Sequence, residues 1–177
     1  MRKLKNSELN RISVNEFKLQ KKIPLVIVLD NIRSLNNIGS VFRTSDAFLI
    51  EKIFLCGITA CPPKTEIHKT ALGATDSVDW QYFNNTVDAV NELKNNNYII
   101  VSIEQVENSV SLLDFYPDKN KKYAFILGNE VKGVLQDVVN LSDFSIEIPQ
   151  FGTKHSLNIS VTTGIVIWDF FYKINKK

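Results

Sequence analysis

A chain of 177 residues, 44% hydrophobic and 23% charged, is long enough for one domain with a real buried core, and its composition excludes a disordered or fibrous protein. No apolar run approaches the ~20 residues of a membrane-spanning helix, and the basic N-terminal stretch lacks the apolar core of a signal peptide, so a cytoplasmic protein is expected. A net charge of +2 is too mild to identify a nucleic-acid partner by itself.

Residues 1–22 are polar and helical in pattern, with Ser13 and Glu16 spaced as a capping box for a short second helix. They are expected as an N-terminal helical extension to a domain covering 23–177. They also carry Arg2, Lys3, Lys5, Arg11, Lys18, Lys21 and Lys22, with Lys173, Lys176 and Lys177 at the other end of the chain; these basic ends read as solvated termini or as a phosphate-binding rim. From Pro24 the pattern alternates. The runs "PLVIVLD", "KIFLCG", "NYIIVSI", "KYAFILG" and "FSIEIP" are apolar on both faces, as strands of a parallel sheet covered on each side must be. Helical patterns cover 37–48, 86–96 and 134–141, and "SLNISVTTGIVIWDFFYKI" closes the chain as a long apolar helix. This order predicts an α/β fold with a mostly parallel sheet flanked by helices. Trp80 and Tyr82 read as core or edge residues, and the aromatics of "VIWDFFY" as core or dimer packing. Cys56, Cys61 and His68 fall one ligand short of a structural zinc site, so no metal is expected.

Five of the seven glycines lie in three segments that each follow a strand run: Gly39 in "NNIGSVFRTSDAF", Gly128 and Gly133 in "LGNEVKG", and Gly152 and Gly164 in "IPQFGTKHSLNISVTTG". Open α/β sheets bind ligands beyond the carboxyl ends of their strands, and these segments also supply Asn, Arg, Glu, Ser and Lys. No GxGxxG follows the first strand and no GxxxxGKS/T occurs, which argues against Rossmann dehydrogenases, typical Rossmann methyltransferases and P-loop enzymes. No GxSxG elbow or HExxH helix is present either. A ligand site is indicated; composition and spacing do not name the ligand.

Taken together, the three segments resemble the three motifs of the SpoU (TrmH-like) RNA 2′-O-ribose methyltransferases of the SPOUT superfamily. Asn37, Gly39 and Arg43 fall on the first motif, Gly128, Glu130 and Gly133 on the second, and Pro149, Gly152, Ser156, Leu157 and Asn158 on the third. The resemblance runs from about Pro24 to the C-terminus. It implies a C-terminal segment threaded into a deep trefoil knot, a rare exception to the rule against knots. It also implies S-adenosylmethionine bound in that knot, a tRNA or rRNA substrate, and a homodimer with the site at its interface. In this reading Gly128 lines the cofactor pocket, Ile148 and Leu157 offer backbone contacts to the adenine, and Ser102 sits at the rim.

Arg43 occupies the family's catalytic position. A guanidinium stays protonated in proteins, so Arg43 is read as gripping an RNA phosphate and stabilising the developing alkoxide rather than as a base. Asn37 is expected at the helix start, as an N-cap or as an amide orienting Arg43 or the ribose. Glu130 is expected to hold Arg43, to cap the following turn or to form a plain salt bridge. Ser156 and Asn158 would contact the target nucleotide or fix the knot. Lys154 suits phosphate, and His155 receives no role. The family often has glycine where this chain has Leu49, a change expected to alter a turn. The alternative function is a non-catalytic RNA-binding or ribosome-assembly protein of the same fold, for which Arg43, Glu130, Ser156 and Asn158 would have no chemical use.

Overall fold

In a computed structural model, which describes residues 1–176, the apolar runs pair into one seven-stranded sheet in which every pairing is parallel. The strands are β1 (Ile23–Asp30), β2 (Ile50–Cys56), β3 (Trp80–Phe83), β4 (Tyr98–Ile103), β5 (Val110–Ser111), β6 (Lys122–Leu127) and β7 (Phe144–Glu147), in the spatial order β3-β2-β1-β6-β4-β7-β5. Helices α1 (Val14–Leu19), α2 (Leu35–Ala47), α3 (Thr65–Ala71), α4 (Ala74–Ser77), α5 (Thr86–Asn95), α6 (Gln136–Leu141) and α7 (Ile159–Asn175) cover it. No helix among the described residues is long and apolar enough to cross a membrane.

Strand β1 shows why the fold has three layers. Its Leu25, Ile27 and Leu29 face Ile38 and Phe42 of α2, Ile67 of α3 and Phe170 of α7. Its Val26 and Val28 face Ala89, Val90 and Leu93 of α5 and Val138 of α6. A strand buried on both faces leaves no polar side, which explains the unbroken apolar run. Helix α2 buries Ile38, Val41, Phe42 and Ser45, one stripe at helical spacing.

Four elements carry no distinctive sequence pattern and come from packing alone. Strands β3 and β5 are short edge strands, and α3 and α4 are held against α2. The expected first helix within 1–12 is only a 3₁₀ turn at Asn6–Glu8 with no buried residue; so short a segment is not helical without packing. Helix α1 does form, with Ser13 and Glu16 as a capping box and Phe17 only 3% exposed as its anchor. The C-terminal helix starts at Ile159, with Asn158 as its N-cap, so Ser156 and Leu157 lie in the preceding loop.

Two motif residues prove structural. A Cβ on Gly39 would lie 2.3 Å from the Ile67 carbonyl oxygen and 2.1 Å from Thr70 Oγ1, so this glycine lets α2 and α3 touch rather than admitting a ligand. Leu49, where relatives often have glycine, has φ of +53° and packs part of its side chain against the core. A side chain in this left-handed region costs roughly 1–2 kcal/mol. Leu49→Gly should therefore be more stable to urea than Leu49→Ala by about 1 kcal/mol, reversing the usual order of those two residues.

Candidate active site

Strands β6, β4 and β7 are neighbours, so their carboxyl ends open on one side of the sheet. A cavity of about 690 Å³ lies there, lined by Ile103–Val106 after β4, Leu127–Val134 after β6, Ile146–Ile148 and Gln150 around the end of β7, and His155–Ile159 leading into α7. That volume is in the range of small-molecule sites, roughly 300–1,000 Å³. The last loop is tied across the cavity by Gln105, whose Nε2 donates to the His155 carbonyl at 2.9 Å.

The loop after β6 is built by its own polar groups. Asn129 and Gly133 exchange backbone hydrogen bonds of 3.0 and 2.9 Å. Asn129 Oδ1 accepts from the N–H groups of Val131 and Lys132, and its Nδ2 donates to the Asn31 carbonyl at 2.7 Å. Gly128 is required by contact: a Cβ there would stand 2.1 Å from both the Gly133 carbonyl carbon and the Val134 nitrogen. Two carboxylates brace the loop from outside. Fully buried Asp30 accepts from Leu135 N at 2.9 Å, Asn31 Nδ2 at 2.8 Å and the Thr86 hydroxyl. Glu104 accepts from Val134 N at 2.9 Å. Neither had been anticipated. Both had a signal, as carboxylates that end an apolar run, Asp30 in "PLVIVLD" and Glu104 in "YIIVSIE".

Glu130 links this loop to α2. Its Oε2 accepts from Arg33 N and its Oε1 from Ser34 N, each at 3.0 Å, and Asn37 Nδ2 donates to Oε1 at 3.3 Å. Asn158 Nδ2 donates to Asn37 Oδ1 at 3.2 Å, while Asn158 Oδ1 accepts from Ser160 N and Oγ. One residue from each of the three segments thus meets in a single chain of hydrogen bonds. A carboxylate at a helix N-terminus is favoured by the free N–H groups and by the helix dipole. Burial alone would raise the Glu130 pKa, but the N–H groups of Arg33, Glu130 itself and Ser34, together with the Asn37 amide, hold it below the usual range.

Several expectations need correction. The N-cap of α2 is Ser34, whose Oγ accepts from Asn37 N at 3.3 Å; Asn37 lies in the first turn. Glu130 holds the start of α2 rather than Arg43. Ser102 is fully buried in β4, its hydroxyl 2.6 Å from that of Ser145, and the cavity begins one residue later at Ile103. Arg43 lies on the outward face of α2, outside the cavity lining, and makes no hydrogen bond or ion pair with any described residue. Gly128, Ile148, Ser156, Leu157 and Asn158 do line the cavity. The backbone polar groups of Ile148 and Leu157 are engaged by no described residue. Burial pushes the Cys56 thiol up to about 12, and no three His, Cys, Asp or Glu among the described residues are placed to hold a metal.

Gly128→Ala should cost about 1–3 kcal/mol in urea unfolding, because backbone rather than a flexible side chain blocks the added methyl. Glu130→Gln should lower stability at pH 7 by about 0.5–2 kcal/mol, the scale of a lost cap. Since the folded pKa is depressed, the wild-type advantage is complete above the ordinary glutamate value of about 4.3 and disappears as pH falls through the folded value. Thermal melts of both proteins from pH 7 to pH 3 should show the two curves converging.

A sequence profile of the SpoU rRNA Methylase family matches residues 24–168. An uncharacterized tRNA/rRNA methyltransferase of Borreliella burgdorferi is 31% identical over 88% of this chain and 67% of its own length. The tRNA (guanosine(18)-2′-O)-methyltransferase of Aquifex aeolicus is 30% identical over 82% of this chain and 67% of its own. The chain thus spans about two thirds of the length of these relatives. The crystal structure of an AdoMet-bound rRNA methyltransferase from Sinorhizobium meliloti shares the fold, with a TM-score of 0.80 at 24% identity over 89% of this chain and 59% of that one. By sequence and by fold, the chain belongs to the SpoU rRNA methylase family.

Proposed function

We propose that the protein transfers a methyl group from S-adenosylmethionine to a ribose 2′-hydroxyl of tRNA or rRNA. One observation carries the reading: the Glu130–Asn37–Asn158 chain gathers all three motif segments beside a cavity of suitable size, on the helix that also carries an unpaired Arg43. The Aquifex relative is named for 2′-O-methylation of a tRNA guanosine, and the Sinorhizobium protein is described as AdoMet-bound.

The cavity fits such a cofactor. An adenine needs one donor and one acceptor on its edge and apolar cover on its faces. Ile148 and Leu157 combine unengaged backbone groups with apolar side chains, and Gly128 holds the opposing loop close. When bound, the cofactor supplies a methyl already activated by its sulfonium. The chain's own residues must then orient the ribose and raise the nucleophilicity of a weakly acidic hydroxyl. Ser156 is exposed at the cavity and suits the ribose. Asn37 and Asn158 have both ends of their amides engaged, and Glu130 both carboxylate oxygens, so all three act as positioning residues that lock α2 against the entrance to α7. Arg43 neutralises the RNA phosphate and the charge developing on the 2′-oxygen, while that phosphate or a water accepts the proton.

The same reading has the chain act as a homodimer with its C-terminal segment threaded as a deep trefoil knot. Trp168 and Tyr172 of α7 are 55% and 49% exposed, and Trp168 packs against Phe48 beside α2. A second copy seated there would cover this aromatic face and bring Arg43 to the shared site.

With tritiated cofactor and total RNA, label should enter RNA and survive alkali in dinucleotides, because a 2′-O-methyl blocks cleavage of the neighbouring phosphodiester. Arg43→Ala should lower kcat by about 100-fold or more with cofactor affinity unchanged. Cofactor binding without any labelled RNA would favour the non-catalytic RNA-binding reading instead.

A further inference from the structure

The cations of this chain are unevenly placed. Of its 21 Lys and Arg and 19 Asp and Glu, residues 1–22 hold seven and two, leaving fourteen against seventeen in the rest of the chain. The body that carries the cavity is therefore net acidic, a poor surface for a polyanion. The whole positive excess sits on one short segment.

The two carboxylates of that segment do not neutralise it. Glu8 is engaged by Arg2, through contacts of 2.6 and 3.0 Å, and by the Lys5 backbone at 2.7 Å. Glu16 caps α1 through the Ser13 N–H and hydroxyl, each at 2.7 Å. Lys22 turns inward to the Phe17 and Gln20 carbonyls. Lys3, Lys5, Arg11, Lys18 and Lys21 remain exposed, and their side chains make no hydrogen bond or ion pair with any described residue.

Its helix α1 is also fixed in place. Phe17 is buried in the core beneath α1, α1 packs on α4, and α4 packs on α2. Ser77 of α4 donates to Asp46, which follows Arg43 on α2 by three residues. Lys18 of α1 is thus anchored, through α4, to the half of α2 that carries Arg43; Lys21 follows two residues after the helix, and Lys3, Lys5 and Arg11 lie on the exposed stretch that leads into it.

We infer that residues 1–22 form a phosphate-binding arm, with Lys3, Lys5, Arg11, Lys18 and Lys21 holding the backbone of the RNA substrate beside Arg43. The inference rests on the RNA-methyltransferase reading and adds to it a place where affinity is generated, apart from the place of chemistry. Such contacts release counterions, so they govern salt dependence and carry little base specificity.

The test uses the full chain and bulk tRNA in filter binding between 50 and 300 mM KCl. A variant carrying glutamine at all five positions should bind tRNA at least tenfold more weakly at 50 mM KCl. Its log–log salt slope should be shallower by about 0.7–0.9 for each phosphate contact removed. Its melting temperature and S-adenosylmethionine affinity should match wild type, and KM for RNA should rise while kcat stays within about twofold. A control with Lys52→Gln, Lys94→Gln and Lys121→Gln should keep wild-type affinity and slope. Unchanged affinity and slope in the five-fold variant would overturn the arm while leaving the enzymatic reading intact, as would an equal loss in the control. Wild-type protein that binds no tRNA or rRNA at all would overturn both.

Discussion

A single carboxylate at the start of a helix organises this molecule. Glu130 accepts the N–H groups of Arg33 and Ser34 across 97 and 96 residues of chain. Ser34 is the N-cap and Arg33 the residue before it, and neither N–H has an intrahelical partner to satisfy it. By satisfying them from a loop after β6, the chain couples the second motif to the first; the amide of Asn158 extends the coupling to the third. Loop, helix and C-terminal segment therefore cannot shift independently. The cavity wall inherits its shape from that mutual restraint.

Around the clamp, the chain separates tasks that other nucleotide-binding folds combine. The cavity lining includes glycine, aliphatic side chains and free backbone groups, to which the proposed function assigns the cofactor. Glu104 and Glu130 in its lining, and the buried Asp30 behind it, accept backbone N–H groups and serve as internal braces. The side chains of Arg43, Lys3, Lys5, Arg11, Lys18 and Lys21 make no such contact with any described residue. In the proposed reading these cations attract the polyanion, and their solvent access makes that attraction adjustable by salt.

Much of the architecture was legible. Five strands and the α2, α5, α6 and α7 helices follow from apolar runs and helical spacing, because a sheet buried on both faces leaves a strong signature. The weak elements were not: β3 and β5 are edge strands of four and two residues, and α3 and α4 are short helices whose register depends on contact with α2. Leu49 shows the same limit from another side. A leucine at a turn gives no hint that its backbone is left-handed, since that conformation is imposed by the link between α2 and β2.

At the site, residue types were readable and partners were not. The motif segments mark Asn37, Arg43, Gly128, Glu130, Ser156 and Asn158 because unusual polar and glycine residues interrupt apolar patterns. Which of them touch is a question of strand order, β1-β6-β4-β7, and that order brings together residues some 90 to 120 positions apart. Ser102 was misplaced for the same reason: alternation puts its side chain inside the sheet against Ser145, and only the pairing of β4 with β7 makes that visible. Sequence by itself determined the layers, the family motifs and the uneven charge, because these depend on local spacing and composition. Tertiary structure decided who braces whom, because a hydrogen bond between distant residues exists only once the sheet has fixed where their strands end.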